Sequence, residues 1–229
     1  MFYYGYDPTY ILVLIGFIIT LVAQFFVSSS YKKYKKINTK SGLQGFEVAR
    51  RILDSNGLTN VDIVETKGEL TDHYDPERKV VRLSSDIYHG ATIASSSVAA
   101  HECGHAVQDK EGYFFLRLRA SLVPLVNFSS KAGYIALMIG LLFGWLELAW
   151  FGIFLELAIL FFQLITLPVE FDASRRAAEF LKREALVEKG EQAGSKKMLN
   201  AAAMTYVASV VSTLLQILRL VLIVSNRDD

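Results

Sequence analysis

Long apolar blocks alternate with charged stretches along the chain, and this pattern predicts most of its architecture. The first block, YILVLIGFIITLVAQFFV from Tyr10 to Val27, carries no charge and is close to the roughly 20 residues that a helix needs to cross a bilayer. No basic residue precedes it, no A-x-A cleavage site follows it, and Lys32, Lys33, Lys35 and Lys36 come directly after. That is the pattern of a retained anchor over residues 1–30 rather than of a signal peptide. The aromatics Phe2, Tyr3, Tyr4, Tyr6 and Tyr10 suit the opposite membrane interface.

Residues 31–121 are polar enough to fold outside lipid. LQGFEVARRILDSNG predicts an amphipathic helix through Leu43, Phe46, Ala49, Ile52 and Leu53, ended by Gly57. VDIVET alternates like a strand, and ELTDHY and KVVRLS flank the turn residues Asp75 and Pro76 as a hairpin would. Ser95, Ser96 and Ser97 are N-cap candidates for a following helix that Gly112 can stop.

Residues 122–169 are mostly apolar, too long for one crossing and suited to a hairpin of two, with its turn near Gly144, Trp145, Glu147 and Trp150. Glu156 falls inside the second crossing, where a carboxylate is costly; a packed pair, a partner-facing role and a transport role all fit it. Residues 170–200 are charged again, with a helix predicted to begin at Glu170 in VEFDASRRAAEFL. Ala201 to Val224 forms a last apolar block, with Arg219 close enough to its end to snorkel; a helix lying on the bundle surface would read similarly. The prediction is a mainly α, multi-pass membrane protein of about four transmembrane helices with a small α+β domain. Basic clusters after the first crossing and within 170–200 place residues 31–121 and 170–200 in the cytoplasm and the last segment, 201–229, across the membrane.

Composition agrees with a cell-membrane protein: 52% of residues are hydrophobic and mean hydropathy is +0.31. Net charge is only +1, and no basic, aromatic-interleaved face is present, which argues against nucleic acid as a partner. The single cysteine, Cys103, excludes an internal disulfide and reads as a small packed side chain rather than a regulatory thiol.

The chemistry lies in VAAHECGHAVQDK, residues 98–110. On a helix His101 and His105 stack on one face, so their imidazoles can share one metal ion, with Glu102 beside them to take a proton from a metal-activated water. This is the zincin pattern H-E-x-x-H; such a match also arises by chance on surface helices. A third protein ligand is needed. Glu170 is the candidate, since the predicted hairpin returns it to the side that holds the histidines; Asp172, Glu179 and Glu184 compete, Asp172 most seriously. Two imidazoles and a carboxylate suit a single catalytic Zn2+.

With HECGHAVQ after an apolar VAA, a membrane hairpin, Glu170-Phe171-Asp172-Ala173 and TDHYDPERKVVRLS upstream, most of the chain resembles the YugP-type neutral zinc metallopeptidases of bacterial membranes. The motif and layout are more distantly similar to the HtpX and CAAX prenyl endopeptidases. The wider group's E-x-x-A-D pattern implies Glu170 as ligand and Ala173 as its alanine, while Ser174 stands where an aspartate is expected. Asp172, Arg175 and Arg176 are then the candidates to orient the ligands. Resemblance to gluzincins implies a strand beside the active-site helix that binds extended substrate, for which KVVRLS is the candidate. His73 is then either an oxyanion stabiliser or a surface residue of the hairpin, and His89 a structural or surface one.

Together these features predict a membrane zinc endopeptidase acting on unfolded or membrane-associated polypeptides, with its site facing the cytoplasm. An intramembrane protease is disfavoured, because Ser95–Ser97 and Gln108–Glu111 make the motif helix too polar for lipid. The alternative is a catalytically silent zinc-binding scaffold. A membrane-protein partner and a homo-oligomer both remain open.

Overall fold

The computed structural model describes residues 7–228, which form seven helices and one three-stranded sheet. Phe2, Tyr3, Tyr4, Tyr6 and Asp229 lie outside the described residues. In chain order the elements are α1 (Tyr10–Tyr34), α2 (Gly45–Ser55), β1 (Asp62–Thr66), β2 (His73–Asp75), β3 (Val80–Ser84), α3 (Ser85–Tyr88), α4 (Ile93–Lys110), α5 (Phe114–Phe143), α6 (Leu146–Arg183) and α7 (Lys189–Asp228). Four of these helices, α1, α5, α6 and α7, are long and apolar enough to cross a membrane.

The chain divides into two units. The first contains the residues through Gln24, Leu118–Thr166 and the chain from Thr205 onward. Its large apolar side chains point outward more often than inward: Phe17, Leu142, Phe143, Phe154 and Phe161 are all exposed. Such a surface is stable against lipid and costly against water. Inside, Leu137, Ala149, Ile153, Ile217, Leu220 and Val224 pack together. Gly140 lets α5 approach the Ala149 backbone, where an added Cβ would lie 2.6 Å from the amide nitrogen; small residues permit this closeness between apolar helices. The predicted turn is present: α5 ends at Phe143, Gly144 takes φ +70, and α6 starts at Leu146. Arg219 does more than snorkel, since its guanidinium lies 4.4 Å above the Tyr10 ring and 3.8 Å from Asp7. Glu156 is half-buried and has no charged partner among the described residues.

The second unit comprises Phe25–Arg117 and Leu167–Met204. Helix α2 presents Val48, Ala49, Ile52 and Leu53 to a core completed by Val81, Leu83, Ile87, Ala99, Ala100, Cys103, Ala106, Leu181 and Leu186, all fully buried. Cys103 is thus a packed side chain, and burial pushes its thiol well above the usual range. The sheet has the order β1-β3-β2, with β3 parallel to β1 and antiparallel to β2. The hairpin between β2 and β3 turns on Asp75, whose Oδ1 accepts from the backbone N–H groups of Glu77 and Arg78, each at 3.1 Å. KVVRLS is therefore the central strand. It pairs with β1 over Val80–Ser84 and with β2 over Val80–Arg82, so the sheet edge on the α4 side belongs mainly to β2.

Two boundaries differ from expectation. Helix α4 begins before the serines, because Thr92 holds the extended backbone of an N-cap and its Oγ1 accepts from Ser95 N at 3.1 Å. The serines are buried inside the helix, where Ser97 Oγ donates to Ile93 O at 2.6 Å; small hydroxyls turned back onto the helix allow close packing there. Nor does a helix start at Glu170, because α6 continues unbroken through Pro168 and the ligand candidate sits in mid-helix. Replacing Thr92 with alanine is expected to cost about 1 kcal/mol. Thermal unfolding in detergent should show a lowered midpoint, with Thr92→Ser recovering most of the loss.

Candidate metal centre

Helix α4 carries His101, His105 and Gln108 on one face, as the i, i+4, i+7 spacing requires. Helix α6 crosses that face at a point fixed by Gly104: a Cβ there would meet the Ala173 carbonyl oxygen at 2.8 Å and its Cα at 3.2 Å. Only with hydrogen at position 104 can the backbones come this near. One turn before Ala173, Glu170 consequently reaches the histidines. Its Oε2 lies 3.3 Å from His101 Nε2 and 3.6 Å from His105 Nε2. One ligand atom from each of these three residues falls within 4.8 Å of the others. Donors about 2.1 Å from a tetrahedral ion stand ~3.4 Å apart, so the observed separations fit one small divalent cation.

Electrostatics favours a positive charge at this point. Burial alone would drive protons off His105, but the hydrogen bond and charge of Glu170, with the charge of Glu102, outweigh it and raise its pKa. The side chain of Glu170 is 3% exposed. A buried carboxylate facing two imidazoles is a site that a cation stabilises as a proton would. Glu102, 8% exposed, lies beside the trio. Burial holds its carboxyl above the usual carboxylate range, His101 and His105 pull it down, and Glu170 and Asp72 push it further up.

The family described as "Putative neutral zinc metallopeptidase" has a model that matches residues 9–225. The chain belongs to this metallopeptidase family. A relative, "Putative membrane protease YugP" of Bacillus subtilis (strain 168), is 49% identical over 207 residues, covering 90% of this chain and 92% of the relative. No solved structure matches the chain. Zinc is therefore the cation implied for the trio, and its donor set of two imidazoles and one carboxylate is one that holds catalytic zinc.

In this metallopeptidase the orientation of each imidazole follows from donor and acceptor accounting. Gln108 Nε2 lies 2.9 Å from both Val169 O and Asp172 Oδ2, two oxygens that act only as acceptors, so the amide nitrogen must face them. Gln108 Oε1 then faces His105 Nδ1 at 3.0 Å, and an amide oxygen can only accept. Nδ1 of His105 therefore carries a proton, and Nε2, which faces Glu170, is the nitrogen that can give up its proton to a cation. His101 is held similarly, its Nδ1 lying 3.2 Å from Ser174 Oγ. Serine at the position expected to hold an aspartate thus still contacts His101.

Asp172, the rival ligand, is turned away from the histidines. It accepts from Gln108, from Arg176 Nε at 2.5 Å and from Arg175, while Arg176 also pairs with Glu111 at 2.8 Å. Glu179 pairs with Arg175 and Glu184 with Arg183, away from the trio. The sequence reading missed Gln108, although its signal was available as the next position on the histidine face. His73 is exposed on β2, with Nδ1 donating to Thr71 O at 2.8 Å, and none of its described contacts reaches the trio. Strand β2 is instead tied to α4 through Tyr74, whose hydroxyl donates to Asp109 Oδ2 at 2.9 Å. His89, also exposed, pairs with Glu65 at 3.2 Å.

Two substitutions test this geometry. Gln108→Ala should weaken zinc affinity about 10–100-fold by freeing the His105 ring, read by competition with a chromogenic chelator. Gly104→Ala must part α4 from α6 and should cost about 1–3 kcal/mol. Zinc content should fall in this variant while the helical circular dichroism persists.

Proposed function

We propose that the chain is a membrane-bound zinc endopeptidase, with His101, His105 and Glu170 as metal ligands and Glu102 as general base. The observation that carries this reading is the convergence of two histidine Nε2 atoms and one carboxylate oxygen, with a second carboxylate beside them. Zinc held there would supply an acidified water and polarise the substrate carbonyl. Glu102 removes the proton as the water attacks the peptide carbonyl, and then delivers it to the departing amine. Its raised pKa suits both halves of that task. Gln108 and Ser174 keep the imidazoles turned so that neither swings away during turnover.

The substrate is an extended polypeptide laid along the open edge of β2. Backbone pairing there gives affinity with little sequence selection, which suits unfolded or membrane-associated chains. With Nδ1–H committed to Thr71, His73 can donate to an oxyanion only as imidazolium. In this reading His73→Ala lowers kcat about 10–100-fold without changing zinc content.

The site faces the cytoplasm, a reading supported by the lysine cluster that follows the apolar part of α1 and by the basic residues of 170–200. Four crossings put the C-terminus outside, and a C-terminal reporter active only in the cytoplasm should stay silent.

The primary test pairs metal content with casein cleavage by protein purified in detergent. Wild type should carry one zinc and cut. Glu102→Gln should keep zinc and lose about 10²–10⁴-fold in rate, and Glu170→Ala should lose zinc. Full activity in Glu102→Gln would overturn the assignment of the base.

A further inference from the structure

A cavity of about 430 Å³ lies between the second half of α6 and the first half of α7, within the unit that holds the zinc trio. Its lining includes the apolar side chains Phe171, Leu181 and Leu199 and the charged ones Arg175, Glu179, Lys182 and Lys196. Arg175 is neutralised by Asp172 and Glu179. Lys182 and Lys196 are exposed and make no ion pair among the described residues, so the lining keeps a net positive charge. Ser195, also in the lining, is 2% exposed, and its hydroxyl has no hydrogen-bond partner. A buried hydroxyl is costly to leave unsatisfied, and it marks where a ligand oxygen belongs.

We propose that this cavity binds the headgroup of an anionic phospholipid, its phosphate held by Lys182 and Lys196 and an ester or phosphate oxygen accepting from Ser195. Charge complementarity selects an anion, while the apolar side chains of the lining select one carrying hydrocarbon, as the glycerol and first acyl carbons of a lipid would be. Position along the chain supports the same occupant. The lining residues fall between the apolar stretch that ends at Val169 and the one that begins at Ala201. Basic pockets between helices at the ends of apolar segments are suited to lipid headgroups. The inference rests on the membrane placement of α6 and α7 and is independent of peptidase activity.

The test is native mass spectrometry of the full chain in neutral detergent, titrated separately with phosphatidylglycerol, phosphatidylcholine and glycerol 3-phosphate. Ser174 and Arg175 support the zinc site and stay unchanged. One phosphatidylglycerol per chain should bind more tightly than phosphatidylcholine, and Lys182→Gln with Lys196→Gln should weaken it about 10–30-fold. Lys32→Gln with Lys36→Gln removes the same charge from another basic cluster and should leave that affinity unchanged. Zinc content, measured in parallel, should be equal in all three proteins. Equal binding of the two lipids, or equal losses in the two double variants, would overturn the proposal. Binding of glycerol 3-phosphate as tight as that of the lipid would reassign the cavity to free phosphate esters. A raised KM for casein with unchanged lipid affinity would make it a substrate pocket instead.

Discussion

The contact between Gly104 and Ala173 is the constraint on which the centre depends. Two elements of the chain bring His101, His105 and Glu170 within 4.8 Å where their backbones nearly touch, and a hydrogen in place of a methyl at position 104 permits that. From this crossing the rest follows by helical periodicity. His101 and His105 flank the glycine on α4, and Glu170 and Ser174 flank the alanine on α6. Two imidazoles from α4 meet one carboxylate and one hydroxyl from α6 without any loop having to be ordered.

Bringing polar groups together in a buried place is costly unless each is paired. The chain meets that demand with an ordered sequence of donors and acceptors, from His105 to Gln108, Asp172, Arg176 and Glu111. Asp172 is of most use in this network as an acceptor facing away from the trio. The arginines that neutralise it keep a second carboxylate from competing for the cation. Gln108 also bonds the Val169 carbonyl, next to Pro168, so the turn of α6 that carries Glu170 is tied to the helix that carries the histidines.

Much of this was legible in the residues. The i, i+4 spacing of the histidines, the apolar block lengths and the Asp75-Pro76 turn are local signals, and local physics decided them. What was not legible depends on tertiary choice. Thr92 rather than Ser95–Ser97 caps α4, because all four residues can cap and only packing decides which hydroxyls turn inward. KVVRLS reads as a strand from its sequence, but its central place follows from pairing with β1, which no local pattern encodes. The start of a helix at Glu170 was inferred from a change in polarity, yet a helix can pass from an apolar to a charged environment without a break. Gln108 was overlooked because a lone amide carries no motif, although its place on the histidine face was already implied.

Whether His101, His105 and Glu170 share one ion can be read by X-ray absorption at the zinc edge of the purified protein. A shared ion gives one zinc per chain with about four nitrogen or oxygen neighbours at ~2.0–2.2 Å, and scattering from two imidazoles. A sulfur neighbour at ~2.3 Å, or the signature of a single imidazole, would contradict it.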